Sequence, residues 1–258
     1  MRKPVKNVVI IGASKGIGEA LVREYSDTGA AVVMLSRDIA ALKELADSIK
    51  ARGGKAYYQR CDVTDREQVR EALAYAKKNL GRLELVIINS GIGQPEWMKD
   101  FDSSLFKETM AVNAFGVAYV LEFLIPLLRK QAGGIIAGVS SMADVRGYPG
   151  SASYCASKAA MTRLLESARV ELKGDNIPVI TVRPGWVRTG MTIKNEFKMP
   201  FILDAGRAAK KIRIGIEKKK RVVQFPLPVL VMSHVAQILP PFLFDWIMVR
   251  LRKMPGER

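Results

Sequence analysis

Cysteine and histidine are scarce in this sequence of 258 residues, which contains only Cys61, Cys155 and His234. Two cysteines do not make the disulfide framework of a small secreted domain and fit a reducing compartment, so we expect a cytoplasmic protein. Histidine, cysteine and carboxylate residues show no metal-ligand spacing, and the sequence therefore predicts no metal site. Cys155 is expected to be a small buried side chain.

Aromatic residues and long apolar runs near the N-terminus are also few. Aromatic residues make up 7% of the chain and are not interleaved with the basic residues, so nucleic acid is not an expected partner. The apolar run Val8–Ile11 is too short for the core of a secretion signal. The net charge is +16, and from Gly206 onward twelve Lys and Arg stand against three Asp and Glu. Such a surface attracts phosphate groups and anionic membranes.

The residues that are plentiful are apolar, at 48% of the chain, and they fall into short runs separated by helical patterns. This alternation, without a repeat at a solenoid period, predicts an α/β fold. We expect a single doubly wound domain with a mostly parallel seven-stranded sheet and helices on both faces. The predicted strands are Val8–Ile11, Ala31–Leu35, Ala56–Cys61, Leu83–Ile88, Ile135–Val139, Val179–Val182 and Arg221–Phe225.

A glycine turn follows the first predicted strand, with the sequence Gly12-Ala-Ser-Lys-Gly16-Ile-Gly18. Glycines let a backbone approach a pyrophosphate closely, and the helix that follows offers free amides and the positive end of its dipole. The second strand ends at Ser36 and Arg37, and Lys15 lies in the turn. Two cations where a 2′-phosphate would bind favour NADP(H), because an acidic residue there would favour NAD.

The segment Ile135 to Met161 carries the candidate catalytic residues. After a buried strand it continues through a loop into a helix for which Ser153 is the expected cap. Tyr154 and Lys158 are four residues apart and face the same side of that helix. A nearby ammonium lowers the pKa of a tyrosine and makes it a usable general acid or base. Ser141, at the end of the strand, could donate a hydrogen bond to a developing oxyanion.

These motifs, in this order, resemble those of the short-chain dehydrogenase/reductase family between Asn7 and Phe225. The resemblance implies a Rossmann domain and a catalytic tetrad of Asn113, Ser141, Tyr154 and Lys158. It implies that Tyr154 exchanges the proton, Ser141 holds the substrate oxygen, Lys158 binds the nicotinamide ribose, and Asn113 positions a water. The expected cofactor-binding residues are Gly12, Ser14, Lys15, Gly16, Ile17, Gly18, Ser36, Arg37, Asp62, Val63, Asn89, Gly91, Tyr154, Lys158, Pro184, Gly185, Val187 and Thr189. Ile11 and Ser90 depart from the usual family residues without removing a catalytic group.

The sequence after the seventh strand is apolar and basic, which divides the chain into a Rossmann domain (1–225) and an extension (226–258). Prolines cut the extension into two predicted helices, Val229–Leu239 and Phe242–Arg252, each too short to span a bilayer. They are expected either to lie in an anionic membrane interface, as in membrane-associated lipid or steroid reductases, or to cap the pocket or form an oligomer interface. The apolar run Met191–Leu203 is expected to form a lid over the substrate.

The combined prediction is an NADPH-dependent oxidoreductase that reduces a hydrophobic ketone or aldehyde, or oxidises the alcohol, with Tyr154 as general acid or base. We expect a homodimer or homotetramer, since the helices carrying Asn113 and Tyr154 pair across a dimer in many proteins of this family. The alternative is a non-catalytic NADP(H)-binding sensor, which would not need the complete Ser, Tyr and Lys set. An epimerase would share Tyr and Lys but usually has a larger C-terminal substrate domain.

Overall fold

A seven-stranded parallel sheet forms the centre of the computed structural model, which describes residues 5–193 and 199–251. The strand order is β3-β2-β1-β4-β5-β6-β9, and every neighbouring pair is parallel. The predicted doubly wound sheet is therefore confirmed. The bounds are β1 Asn7–Ile11, β2 Ala31–Ser36, β3 Ala56–Arg60, β4 Leu85–Ile88, β5 Ile135–Val139, β6 Val179–Pro184 and β9 Val222–Phe225, with two short strands outside the sheet, β7 Val187–Arg188 and β8 Leu203–Asp204.

Helices connect the strands and cover both faces of the sheet. Alternate side chains of β1 explain the two layers: Val8 and Ile10 pack with one set of helices, and Val9 and Ile11 pack with the other. All four are fully or almost fully buried, as expected for a parallel sheet covered on both sides. The helices are α1 Gly16–Ser26, α2 Ile39–Lys50, α3 Arg66–Leu80, α4 Ser103–Met110, α5 Gly116–Lys130, α6 Ala152–Glu171, α7 Ala205–Glu217, α8 Leu227–Ile238 and α9 Pro241–Leu251.

The sequence alone indicates one long helix over Ser104–Lys130, with Asn113 and Gly116 in its middle, but the structure interrupts this helix. Helices α4 and α5 are joined by a π-helical stretch, Ala111–Phe115, with Asn113 at its centre. The whole helical segment Ser103–Lys130 is long and apolar enough to cross a membrane. However, Val120, Leu124 and Leu128 are completely buried against the sheet, which makes it a core helix of the domain.

Strand order reverses between β1 and β4, the point at which doubly wound sheets bind ligands beyond the carboxyl ends of their strands. The glycine turn after β1 and the Asn89-Ser90-Gly91 segment after β4 therefore adjoin each other. The loops after β5 and β6 come to the same edge. All the predicted site motifs consequently meet at one end of the sheet.

The lid predicted over Met191–Leu203 falls partly outside the described residues, which omit 194–198. Its described ends are anchored by a small parallel ladder that pairs Val187 with Leu203 and Arg188 with Asp204. Ile193 and Phe201 are exposed on either side of the omitted residues. The lid stays a prediction.

The C-terminal extension contains the two expected helices, α8 and α9. Helix α8 begins two residues after β9 and packs on the domain through Val229, whose side chain abuts Gly185. The division of the chain at residue 225 stays a prediction.

Candidate active site

The glycine turn has the shape that a bound pyrophosphate requires. Gly12 and Gly16 have φ angles of +82° and +62°, which side chains rarely adopt. A methyl group on Gly18 would lie 2.0 Å from the carbonyl oxygen of Gly12, so β1 and α1 approach too closely for any larger residue. The amide of Asn89 donates to that same oxygen at 2.8 Å and fixes the turn against β4. Backbone amides at the start of α1 are therefore open to an anion.

Segments from β4 and β6 border this turn. A methyl group on Gly16 would lie 3.1 Å from Cγ2 of Thr189, which places the predicted nicotinamide contact beside the turn. The backbone amide of Gly185 donates to Phe225 and holds the end of β6 against β9, after Pro184. Val187 is buried in the core, so only its backbone could contact a cofactor.

The predicted adenosine end of the site contains three charged side chains. The Ser36 hydroxyl donates to that of Ser14 at 2.9 Å and links the end of β2 to the glycine turn. Arg37 is exposed and lies 3.8 Å from the carboxylate of Asp62. Lys15 is exposed and has no ion-pair partner among residues 5–193 and 199–251.

Some residues expected to bind the cofactor already have structural contacts. Asp62 accepts hydrogen bonds from the backbone and the hydroxyl of Thr64, so one of its oxygens shapes the loop after β3. Val63 is buried, and its side chain occupies the space beside Gly116. Ile17 packs against the core from the first turn of α1. A cofactor role for these three stays a prediction.

Lys158 is almost completely buried and its ammonium donates to the carbonyl of Val139, at the end of β5, at 3.0 Å. Burial lowers the pKa of Lys158 to about 8, and Asp144 acts in the opposite direction. A methyl group on Gly91 would lie 3.2 Å from this ammonium and 3.3 Å from Oδ1 of Asn113. The structure thus brings Gly91, Asn113 and Lys158 together.

The ring of Tyr154 lies against the same loop as Gly91. A methyl group on Gly93, two residues after Gly91, would lie 2.8 Å from this ring. Burial raises the pKa of Tyr154, while a hydrogen bond from Ser141 lowers it. The ammonium of Lys158 lies 5.8 Å from the centre of the tyrosine ring. It is not among the groups that shift the pKa of Tyr154 here, so the expected lowering by Lys158 stays a prediction.

Asn113 holds the loop after β4 through its side chain. Its amide oxygen accepts from the backbone of Ile92, and its amide nitrogen donates to the carbonyl of Ile92, both at 2.8 Å. The same nitrogen donates to the hydroxyl of Ser157 at 2.9 Å. A π-helical bulge often marks a functional site, and here it aims Asn113 at the loop and not along the helix surface. These contacts do not test the predicted role of Asn113 in positioning a water, which stays a prediction.

The prediction that Ser153 caps α6 is wrong, and the structure shows a different capping arrangement. The helix begins at Ala152, and the capping residue Ser151 makes no hydrogen bond with its side chain. Ser153 lies within the first turn, where its backbone amide, at 3.3 Å, and its hydroxyl donate to the buried carboxylate of Glu96. Glu96 is 57 residues away along the chain, so no local sequence pattern could have identified it.

Asp144 and Arg146 lie near the candidate site but were not predicted from the sequence. Asp144 is buried beside Ser141, pairs with Arg183 at 2.5 Å and accepts from Thr162 at 2.6 Å. Arg146 donates to the carbonyl of Ala236 at 2.8 Å and so connects the loop before Tyr154 to α8.

Across residues 5–193 and 199–251, no group of three or more His, Cys, Asp and Glu side chains could hold a metal ion.

The structure places a glycine turn and the side chains of Ser141, Tyr154 and Lys158 at one edge of a doubly wound sheet, where such folds bind their ligands. The family model described as short chain dehydrogenase matches residues 6–199. An uncharacterized oxidoreductase of Myxococcus xanthus is 32% identical over 247 residues, covering 96% of this chain and 98% of that protein. The chain therefore belongs to the short-chain dehydrogenase/reductase family of oxidoreductases.

Two other similar proteins extend the comparison. The 7alpha-hydroxysteroid dehydrogenase of Escherichia coli K12 is 30% identical over 191 residues, which are 73% of this chain and 74% of that protein. A short chain dehydrogenase/reductase of Burkholderia phymatum, solved in complex with NAD, superimposes with a TM-score of 0.84 over 99% of this chain and 98% of that one. At 20% identity this second likeness concerns the fold alone.

Proposed function

We propose that this protein is an NADP(H)-dependent reductase that converts a hydrophobic ketone or aldehyde into its alcohol, or catalyses the reverse reaction. The observation that carries the proposal is the meeting of Ser141, Tyr154 and Lys158 beside an open glycine turn. A cofactor of this type fits the turn, because the positive φ angles and the free amides suit a pyrophosphate. When bound, it supplies or accepts the hydride.

The protein side chains handle the proton and the substrate oxygen. Tyr154 is the proton donor to the carbonyl oxygen, and its raised pKa keeps the hydroxyl protonated at neutral pH. Ser141, which also lowers the pKa of Tyr154, donates to the same oxygen as negative charge develops on it. Lys158, with a pKa of about 8, is still mainly an ammonium at neutral pH and favours the tyrosinate left after the transfer.

The preference for NADP(H) over NAD(H) rests on Arg37 and Lys15. Both side chains are exposed at the end of the site where the adenosine ribose binds in doubly wound folds. A guanidinium and an ammonium there complement a 2′-phosphate, and the Ser14–Ser36 hydrogen bond brings their two loops together.

A hydrophobic substrate is supported by the apolar side chains that follow Thr189. Ile193 and Phe201 are both exposed, although large apolar residues are usually buried. The resemblance to a hydroxysteroid dehydrogenase supports the same substrate class. We further propose a homodimer or homotetramer, for which exposed Phe115, Leu164 and Val170 on or beside α5 and α6 are the supporting feature.

The test is NADPH oxidation by the wild-type protein and Tyr154→Phe against ketones of increasing apolar size. We expect turnover to rise with apolar size and to fall at least about 100-fold in Tyr154→Phe, the usual range for loss of a general acid. NADPH binding, followed by its fluorescence, should be unchanged in the variant. Tight NADPH binding without turnover of any ketone by the wild type would instead support a non-catalytic sensor.

A further inference from the structure

The outer surface of the C-terminal helices is apolar and exposed. We name as the docking face Leu227, Val231, Val235 and Ile238 of α8 together with Phe242, Trp246 and Val249 of α9. Their spacings of three and four residues place them on one side of each helix. Ile238 is 80% exposed, Phe242 75% and Trp246 54%.

Both helices carry apolar residues on their inner side as well, including the half-buried Leu243 and Ile247 of α9. The buried positions are Val229 and Ser233 in α8 and Phe244 in α9. A helix on the surface of a water-exposed protein usually confines its apolar stripe to the side that faces the core. Exposed apolar residues along one side of each of two successive helices indicate an interaction surface.

Contacts with the active-site loop fix the two helices in place. Arg146 donates to the carbonyl oxygens of Ala236 and Leu239 at the end of α8. Its guanidinium lies 4.8 Å from the ring centre of Phe244, and the Tyr148 ring lies 6.0 Å from that of Phe244. Because this loop leads directly into Tyr154, the docking face is attached beside the candidate catalytic residues.

Positive charge flanks the docking face. Lys218, Lys219, Lys220 and Arg221, here called the basic turn, are all exposed, and none is in an ion pair with a residue of the described ranges. Val222, which follows the turn, lines one small cavity together with Gln237 of α8. The residue that follows the basic turn and the residue that precedes the exposed Ile238 thus border the same cavity. On α9 the guanidinium of Arg250 lies 3.7 Å from the ring centre of Trp246.

We propose that the docking face binds the surface of an anionic lipid bilayer. Helices α8 and α9 have 12 and 11 residues, well short of the roughly 20 that span a bilayer, so they lie in its plane. Trp246 and Phe242 enter the acyl boundary, while the basic turn and Arg250 contact lipid phosphates. A second copy of the same face would bring two basic turns to one symmetric interface, whereas anionic lipid neutralises them.

The test is co-sedimentation of the full chain with vesicles, in the absence of cofactor and substrate, so it does not depend on the proposed reaction. We expect binding to vesicles of phosphatidylcholine and phosphatidylglycerol in equal parts and much weaker binding to phosphatidylcholine alone. Phe242→Ser with Trp246→Ser should weaken binding to the anionic vesicles at least about tenfold, because each side chain buries considerable apolar area. Met98→Ser with Ile39→Ser, also exposed apolar residues, is the matched control and should change nothing.

A second pair of variants tests the charge. Lys218→Gln with Lys220→Gln should weaken binding about 30-fold, since each of the two cations near an anionic surface contributes on the order of 1 kcal/mol. Lys50→Gln with Lys55→Gln removes equal charge elsewhere and should have no effect. The proposal is overturned if wild-type protein does not sediment with anionic vesicles. It is also overturned if the Phe242 and Trp246 variant changes only the oligomer size by light scattering, because the face would then join copies of this chain.

Discussion

Arg37 and Lys15 are the two side chains on which the proposed cofactor preference depends. Arg37→Asp with Lys15→Ser removes both cations and places a carboxylate where a ribose 2′-hydroxyl could bind it. Hydrogen bonds to charged groups are worth about 1.5–3 kcal/mol each, so we expect the ratio of kcat/KM for NADPH over NADH to fall about 100-fold. Steady-state kinetics with both cofactors measure this ratio.

The matched control for that experiment is Arg52→Asp. Arg52 is also exposed and also near a carboxylate, that of Asp27 at 3.2 Å, but it lies beyond the end of α2. Its replacement should leave the ratio unchanged. An unaltered ratio in the Arg37 and Lys15 variant would show that these two side chains do not determine the cofactor preference.

At the scale of single residues, the sequence predicted the glycine turn and that the candidate catalytic side chains lie at one edge of the sheet, but it did not predict their electrostatic environment. Gly12, Gly16 and Gly18 follow an apolar run directly, and this placement after the first strand is what favours a phosphate-binding turn over an ordinary one. The pKa of Tyr154 depends instead on burial, which the spacing of Tyr154 and Lys158 does not reveal. Asp62 likewise has contacts with Thr64 that only the folded loop makes apparent.

Helix α6 begins with a cap supplied from a distant loop. The Glu96 carboxylate accepts from the backbone amide and hydroxyl of Ser153, one residue before Tyr154. Glu96→Ala removes this partner and should lower the free energy of unfolding by about 1–3 kcal/mol, the cost of an unsatisfied buried group. Because the first turn then loosens around Tyr154, kcat should fall with little change in KM for NADPH. Urea unfolding and steady-state kinetics measure the two effects.

Two variants separate positioning from general destabilisation. Glu96→Gln keeps an oxygen acceptor and should recover most of kcat. Glu166→Ala removes an exposed carboxylate farther along α6, where an ion pair contributes little, and should alter neither quantity appreciably. Equal losses of kcat in the alanine and glutamine variants would contradict a positioning role for Glu96.

At the scale of elements, apolar runs and glycine stops predicted all seven strands of the sheet, because each buried strand is bounded locally. The π-helical stretch at Asn113 was not predicted. Its extra residue is stabilised by bonds to Ile92 and Ser157, which are 21 and 44 residues away. The hydrogen bond from Arg146 to Ala236 of α8 joins residues that are 90 positions apart, so local sequence patterns could not predict it either. The periodicity of apolar residues indicates which side of an element is buried, but it does not indicate which elements contact each other.

The whole molecule carries several buried ionisable groups whose effects on stability oppose each other. Burial lowers the pKa of Lys158 from 10.5 to about 8, so the folded state releases this proton first. Below pH 8 the buried ammonium costs stability, and that cost is relieved as pH rises from 8 to 10.5. Burial raises the pKa of Cys61 from 9.0 to about 12, and the pKa of Cys155 and Tyr25 also rises. The two cysteines therefore reduce the stability of the folded protein as pH rises above 9.0, and Tyr25 does so above pH 10.0.

We therefore expect the free energy of unfolding, without cofactor, to rise between pH 8 and 9 and to fall at higher pH. The rise is limited to about 1 kcal/mol per pH unit, the value for one proton. Lys158→Met keeps the length of the side chain without the charge, so it should be more stable than the wild type near pH 7 and should lack the rise. Urea unfolding at closely spaced pH values measures both curves. A variant that retains the rise would assign it to the remaining excess of positive charge and not to Lys158.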